Sequence, residues 1–148
     1  MAYVSNYLHC VWGTKWRVHH FTTMNQADIQ IHIYNNAHQK GIWIDRIHAY
    51  VDHVHCLISL DPDQQLSKVI QLIKGESSFW INRNILLNQE FKWADEYYAS
   101  SISSNALIKV RDYIQNQEIH HKTKSWEQEE KEYQAMITKL LSPFRLDR

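Results

Sequence analysis

Three residue types at particular spacings raise the possibility of chemistry. The stretch Asp52-His53-Val54-His55-Cys56-Leu57-Ile58 puts two imidazoles one residue apart inside an apolar run. In a β-strand, residues i and i+2 point to one face, so His53 and His55 project together while Val54 and Cys56 face the other way. Neutral imidazole is a common ligand for divalent cations, and two on one rigid strand are partly preorganised. The competing expectation is two surface histidines on an open sheet face. Two ligands rarely suffice, so the metal reading needs a third. Further along, VRDYIQNQEIHH places Tyr113 and Gln117 four residues apart, one helical turn from each other on one face. Beside them Ala106, Leu107, Val110 and Ile114 make an apolar stripe that would dock the helix, with Tyr113 at its edge. Taken alone, Tyr113 also fits an amphipathic tyrosine at the rim of a core.

The elements that must carry these residues follow from patterning. Tyr3 to Trp12 is aromatic and β-branched and reads as a strand. Thr22 or Thr23 caps a helix to about Lys40, ended by Gly41. Ile42 to Val51 alternates as a strand, Asp52 breaks it, and His53 to Leu60 is its hairpin partner. After Asp61-Pro62-Asp63, the positions Leu66, Val69, Ile70 and Ile73 have helical spacing, with an end near Asn88. Phe91 to Ile102 is a strand interrupted around Ala94-Asp95-Glu96. Ser103, Ser104 and Asn105 offer caps for a helix to about Gln117. Glu127 to Leu141 is a last helix, acidic at its start as the macrodipole favours. The order βαββαβ plus C-terminal helices predicts an α+β, ferredoxin-like fold, an antiparallel sheet with helices on one face and the tyrosine on a helix that follows. The fold alone decides nothing about activity.

Composition narrows the class. A chain of 148 residues, 44 % apolar, with six Trp and eight Tyr, is expected to be one globular domain over 1–148. Three Gly and two Pro leave no linker. No run of about 18 apolar residues predicts a membrane span, and the N-terminus has no secretory pattern, so the cytoplasm is the expected compartment. Cys10 and Cys56 lie within strand-like runs and read as small buried apolar residues. Net charge is zero, which argues against a strongly basic DNA-coating protein. Segment 125–134 holds four Glu and one Lys, which leaves 15 basic against 12 acidic residues elsewhere, or +3.

Together these residues resemble the single-tyrosine HUH transposases of the insertion-sequence-200 type and the related transposases associated with repetitive palindromes. HUH denotes His, bulky apolar residue, His, here His53-Val54-His55. The likeness extends to Trp12, to Thr14-Lys15-Trp16-Arg17, to Lys74-Gly75-Glu76-Ser77-Ser78, and to Tyr113-Ile114 with Gln117, His120 and His121, so it spans nearly the whole chain. The resemblance implies that His53 and His55 bind a divalent metal, Mg²⁺ or Mn²⁺, that Gln117 completes the site, and that Tyr113 is the nucleophile. It implies a homodimer that cleaves and rejoins single-stranded DNA with hairpin ends through a 5′-phosphotyrosyl link. Lys15, Arg17, Lys74, Lys109, Arg111, Lys122 and Lys124 are candidate phosphate contacts, and each is equally an ordinary solvated charge. His120 and His121 either flank the site or cap a helix. Two other classes compete: a non-catalytic single-stranded nucleic-acid-binding module on a ferredoxin-like sheet, and a metal hydrolase that uses the histidines without the tyrosine.

Overall fold

The structure is a computed structural model that describes residues 3–116, together with Gln128 and Lys131. The chain divides into two compact units, residues 1–115 and 116–148, and the sheet and its helices belong to the first. The elements run β1 (Tyr7–Gly13), a tight turn at Lys15–Arg17, α1 (Gln26–Gln39), β2 (Trp43–Ala49), β3 (His53–Ser59), α2 (Leu66–Asn84), β4 (Tyr98–Ile102) and α3 (Leu107–Gln115). The strands form one antiparallel sheet in the order β2-β3-β1-β4, the ferredoxin-like arrangement expected.

Register assigns the faces. Cys10 pairs with Cys56, Trp12 with Val54 and Leu8 with Ile58, and these join the main core with Ile29, Ile33 and Ala37 of α1 and Val69, Ile70 and Ile73 of α2. The i, i+4, i+8 spacing on α1 gives that helix one apolar stripe. Gly41, at φ 77°, ends α1 in the left-handed conformation. Its N–H donates to His38 O at 3.1 Å and Ile42 N–H to Ala37 O at 2.9 Å, the paired bonds that close a helix C-terminus. Both thiols are buried and free, as expected; burial pushes Cys10 up to about 12 and Cys56 well above its ordinary value, so neither is a thiolate at neutral pH.

The opposite face is not open. Helix α3 packs on β2 and β3, with Val110 and Ile114 fully buried. A bulge between Ile44 and Arg46 adds one residue to β2, Asp45, and its carboxylate accepts two bonds from the Arg111 guanidinium of α3, both at 2.8 Å. The sheet thus has helices on both faces once α3 is counted. Several expected boundaries are corrected, and strand β1 starts at Tyr7 and not at Tyr3. Strand β4 is five residues, because the 91–97 segment leaves the sheet after a lone bridge between Thr14 and Trp93. Helix α2 stops at Asn84, and α1 starts at Gln26, after a turn in which the Thr22 and Asn25 side chains each bond the other's backbone N–H. The last helix expected, 127–141, falls almost wholly outside the described residues. Among the described residues no helix is long and apolar enough to cross a membrane.

Candidate active site

His53 and His55 lie on β3, and the face they share also carries His9, the neighbour across β1, and His48, the register partner of His55 on β2. Burial is nearly complete: His53 is 0 % exposed, His55 2 % and His9 0 %. The expectation of an open sheet face is therefore overturned, and the reason is the packing of α3 across it. A buried imidazole needs a hydrogen-bond partner or a metal, and the partners are specific. The His53 Nδ1–H donates to Asp52 Oδ1 at 2.6 Å. A carboxylate only accepts, so the proton between them sits on Nδ1, and in the neutral ring Nε2 then carries the lone pair. His55 Nδ1 and His9 Nε2 share a proton at 2.9 Å, their rings stacked 5.1 Å apart.

Asp52 is itself held. Burial pushes its carboxyl up, but the bond and charge of His53, with Arg17 and His19, outweigh burial and leave it below the ordinary value. Arg17 Nε donates to Asp52 Oδ2 at 3.3 Å. Gly13 makes room for this contact, since a Cβ there would lie 2.9 Å from Arg17 Nη1. Trp16 and Arg17 both adopt positive φ, 60° and 55°, which costs each about 1–2 kcal/mol. The Thr14 hydroxyl, donating to Val18 O at 2.7 Å, ties the turn across its base.

Tyr113, on α3, is half-buried with its ring edge-on to this cluster, 5.9 Å from His55 and 6.3 Å from His9. Fold and helix docking therefore bring His53, His55 and Tyr113 together from positions 58–60 residues apart in sequence. His9 joins them, a residue that sequence reasoning missed. Its signal is present all the same: in YLHCVWG it is the one imidazole, on the face that Cys10 and Trp12 do not use. Asp52, which reads in the sequence only as a strand breaker, is the partner of His53. Among the described residues no three His, Cys, Asp or Glu side chains converge as a metal-binding group. Two imidazoles with fixed Nδ1 hydrogen bonds fit a divalent cation only with further donors. Gln117, His120, His121, Lys122 and Lys124 lie outside the described residues.

The basic candidates separate. Lys74 donates to the carbonyls of Ala94, Asp95 and Glu96 at 2.7, 3.3 and 3.0 Å, so its ammonium is committed to shaping that loop. Arg111 is committed to Asp45 and Arg17 to Asp52. Lys109 is exposed on α3, and Lys15 lies with its ammonium 5.8 Å over the Trp16 ring.

Comparison with known proteins finds relatives in sequence and in fold. The sequence profile described as IS200-like transposase matches residues 2–117. The transposase of insertion sequence element IS200 from Salmonella typhimurium is 25 % identical over 115 residues, covering 74 % of either chain. The ISDra2 transposase TnpA of Deinococcus radiodurans is 25 % identical over 118 residues, 74 % of this chain and 81 % of that one. Two solved structures share the fold. One, assigned to a transposase of Deinococcus radiodurans R1, has a TM-score of 0.63 at 22 % identity, covering 79 % of this chain and 95 % of that one. The other, a REP-associated tyrosine transposase bound to a REP hairpin, has a TM-score of 0.63 at 15 % identity, covering 82 % and 72 %.

Proposed function

Since this chain belongs to the IS200-like transposase family, we propose that it cleaves and rejoins single-stranded DNA through a covalent link to Tyr113. The observation that carries the reading is the edge-on approach of the Tyr113 ring, 5.9 Å from His55, to a histidine pair whose ring orientations are fixed. His53 and His55 would hold a divalent cation, Mg²⁺ or Mn²⁺, through Nε2, with Gln117 as a further donor. Bound there, the cation supplies charge neutralisation and orientation to a scissile phosphate. In this tautomer His55 donates from Nδ1 to His9, and Asp52 accepts from His53, an outer-shell arrangement of the kind that steadies metal-bound imidazole.

The chemistry is transesterification. The Tyr113 phenolate oxygen attacks phosphorus in line, a P–O bond to tyrosine forms, and the P–O3′ bond breaks to leave a free 3′-OH. The phenol has an ordinary pKa of about 10, so its proton must be drawn off as the bond forms. The bond energy of the phosphodiester is kept in the tyrosyl link, and a second 3′-OH can reverse the step without ATP. Water would discard that energy, which is why a strand transferase uses a protein nucleophile. One structural relative was solved with a REP hairpin, and we take hairpin-bearing single strands from the DNA flanking the gene as the substrate class, with a homodimer as the working assembly.

The test is covalent capture. Labelled flanking single strand, protein and Mn²⁺ or Mg²⁺ are mixed and resolved on a denaturing gel. A metal-dependent shifted band that Tyr113→Phe lacks is expected. Turnover that survives Tyr113→Phe would replace this reading with a metal hydrolase, and binding without any band, across both flanks, would replace it with a binding-only module.

A further inference from the structure

We propose that the Lys15–Arg17 turn and the cleft beside it form a track for unpaired DNA, with Lys15 and Lys92 on phosphates and Trp16 and Tyr97 stacked on bases to either side. This rests on the single-stranded DNA reading above and assigns where the strand runs. A cleft of about 540 Å³ opens between α2 and the 92–97 segment, lined among others by Lys15, Gln71, Lys74, Lys92, Trp93 and Tyr97. A smaller hollow of about 170 Å³ adjoins it, lined by Lys15, Trp16, His20, Gln89, Glu90 and Lys92, with Val18. The two share Lys15 and Lys92, whose backbones are joined by the Lys15 N–H to Lys92 O bond at 2.9 Å. Lys15 and Lys92 therefore line both depressions, with Trp16 lining the smaller and Tyr97 the larger. Lysines with an aromatic ring in each hollow suit an unpaired strand, which presents alternating phosphates and base faces.

The turn holds Trp16 out. Its indole is 85 % exposed, and the two successive left-handed residues project it away from the core in which Trp12 and Trp93 are buried. Backbone strain of this kind persists only where neighbouring contacts fix it, and here they are the Arg17 to Asp52 and Thr14 to Val18 bonds. On the other side, Lys74 anchors the 94–96 carbonyls and so sets the wall on which Tyr97 sits, its ammonium 5.9 Å from that ring. The track is also in the right place. Gly13, the residue where β1 ends, is the register partner of His53, so the turn begins at the end of the sheet where the histidine pair begins.

The experiment compares two probes by fluorescence anisotropy without divalent metal: a labelled hairpin from the gene's flank carrying its unpaired tail, and the same hairpin with the tail removed. The wild-type chain should prefer the tailed probe. Trp16→Ala should weaken the tailed probe roughly five- to a hundredfold and leave the trimmed one unchanged. Lys92→Gln should lower the salt slope for the tailed probe by about 0.7, one phosphate's share on a single strand. A tail carrying 5-iododeoxyuridine should crosslink to Trp16 under ultraviolet light. Undiminished tail preference in Trp16→Ala, with crosslinks elsewhere, overturns the track while capture on Tyr113 leaves the function standing. Neither tail preference nor capture in the wild-type chain overturns both.

Discussion

His9 and Asp52 do their work one contact away from the proposed ligands. Each takes the Nδ1 of one histidine of the pair, His9 on His55 and Asp52 on His53, and so fixes how that ring is turned. Outer-shell partners of this kind typically carry 10- to 100-fold in metal affinity or activity. His9→Phe keeps the stacked ring and removes the hydrogen bond. We expect it to weaken Mn²⁺ binding by about that factor, measured by calorimetric titration, with the circular dichroism spectrum unchanged; unaltered binding would reduce His9 to packing. Asp52 also carries a pH signature. Its carboxyl lies below its ordinary 3.8 in the folded chain, so its stabilising contribution is complete above that value and is lost as pH falls through the folded-state value. The gap in unfolding free energy between the metal-free wild type and Asp52→Asn should therefore narrow below about pH 4. A gap constant from neutral pH down to pH 2 would mean the Asp52 charge contributes nothing.

At the scale of elements, two attachments stand out: the Asp45 bulge that receives Arg111 from α3, the helix of Tyr113, and the Lys74 clamp on the 94–96 loop. Lys74→Met leaves Ala94 O without its donor in a partly buried setting and should cost roughly 1–3 kcal/mol, read as a lower urea midpoint. Asp45→Asn replaces a charge-assisted fork with at most a weak amide contact; we expect faster amide exchange along α3 while β1 and β3 stay protected. Uniform protection would show that apolar packing of Val110 and Ile114 alone holds the helix. These attachments explain what the sequence could and could not disclose. Alternation in HVHCLIS and the spacing of Ile29, Ile33 and Ala37 depend on local periodicity, so strands, helices and the shared face of His53 and His55 were readable. The bulge at Asp45, the early end of β4 and the burial of the pair depend on contacts between distant segments. The charged candidates show the same limit: a residue type does not reveal whether its charge meets solvent, as at Lys109, or three carbonyls, as at Lys74.

For the molecule as a whole, the sheet separates two duties. One face carries the packed core with α1 and α2, and the other carries the imidazoles under α3. Two chains of 17.8 kDa would make a homodimer of about 36 kDa by light scattering, and we expect that mass at working concentrations. A monomer at every concentration would exclude a site shared between subunits.

Strand β3 belongs to both faces at once. Its even and odd positions are two interleaved messages written on a single line: Val54, Cys56 and Ile58 address the core, while His53, His55 and Leu57 address the site. Dropping one letter anywhere before His53 in the hairpin would swap the recipients, sending imidazoles in among Ile33 and Ile73 and turning a thiol and a valine towards α3. A frame error there would erase the core face and the imidazole face in the same stroke.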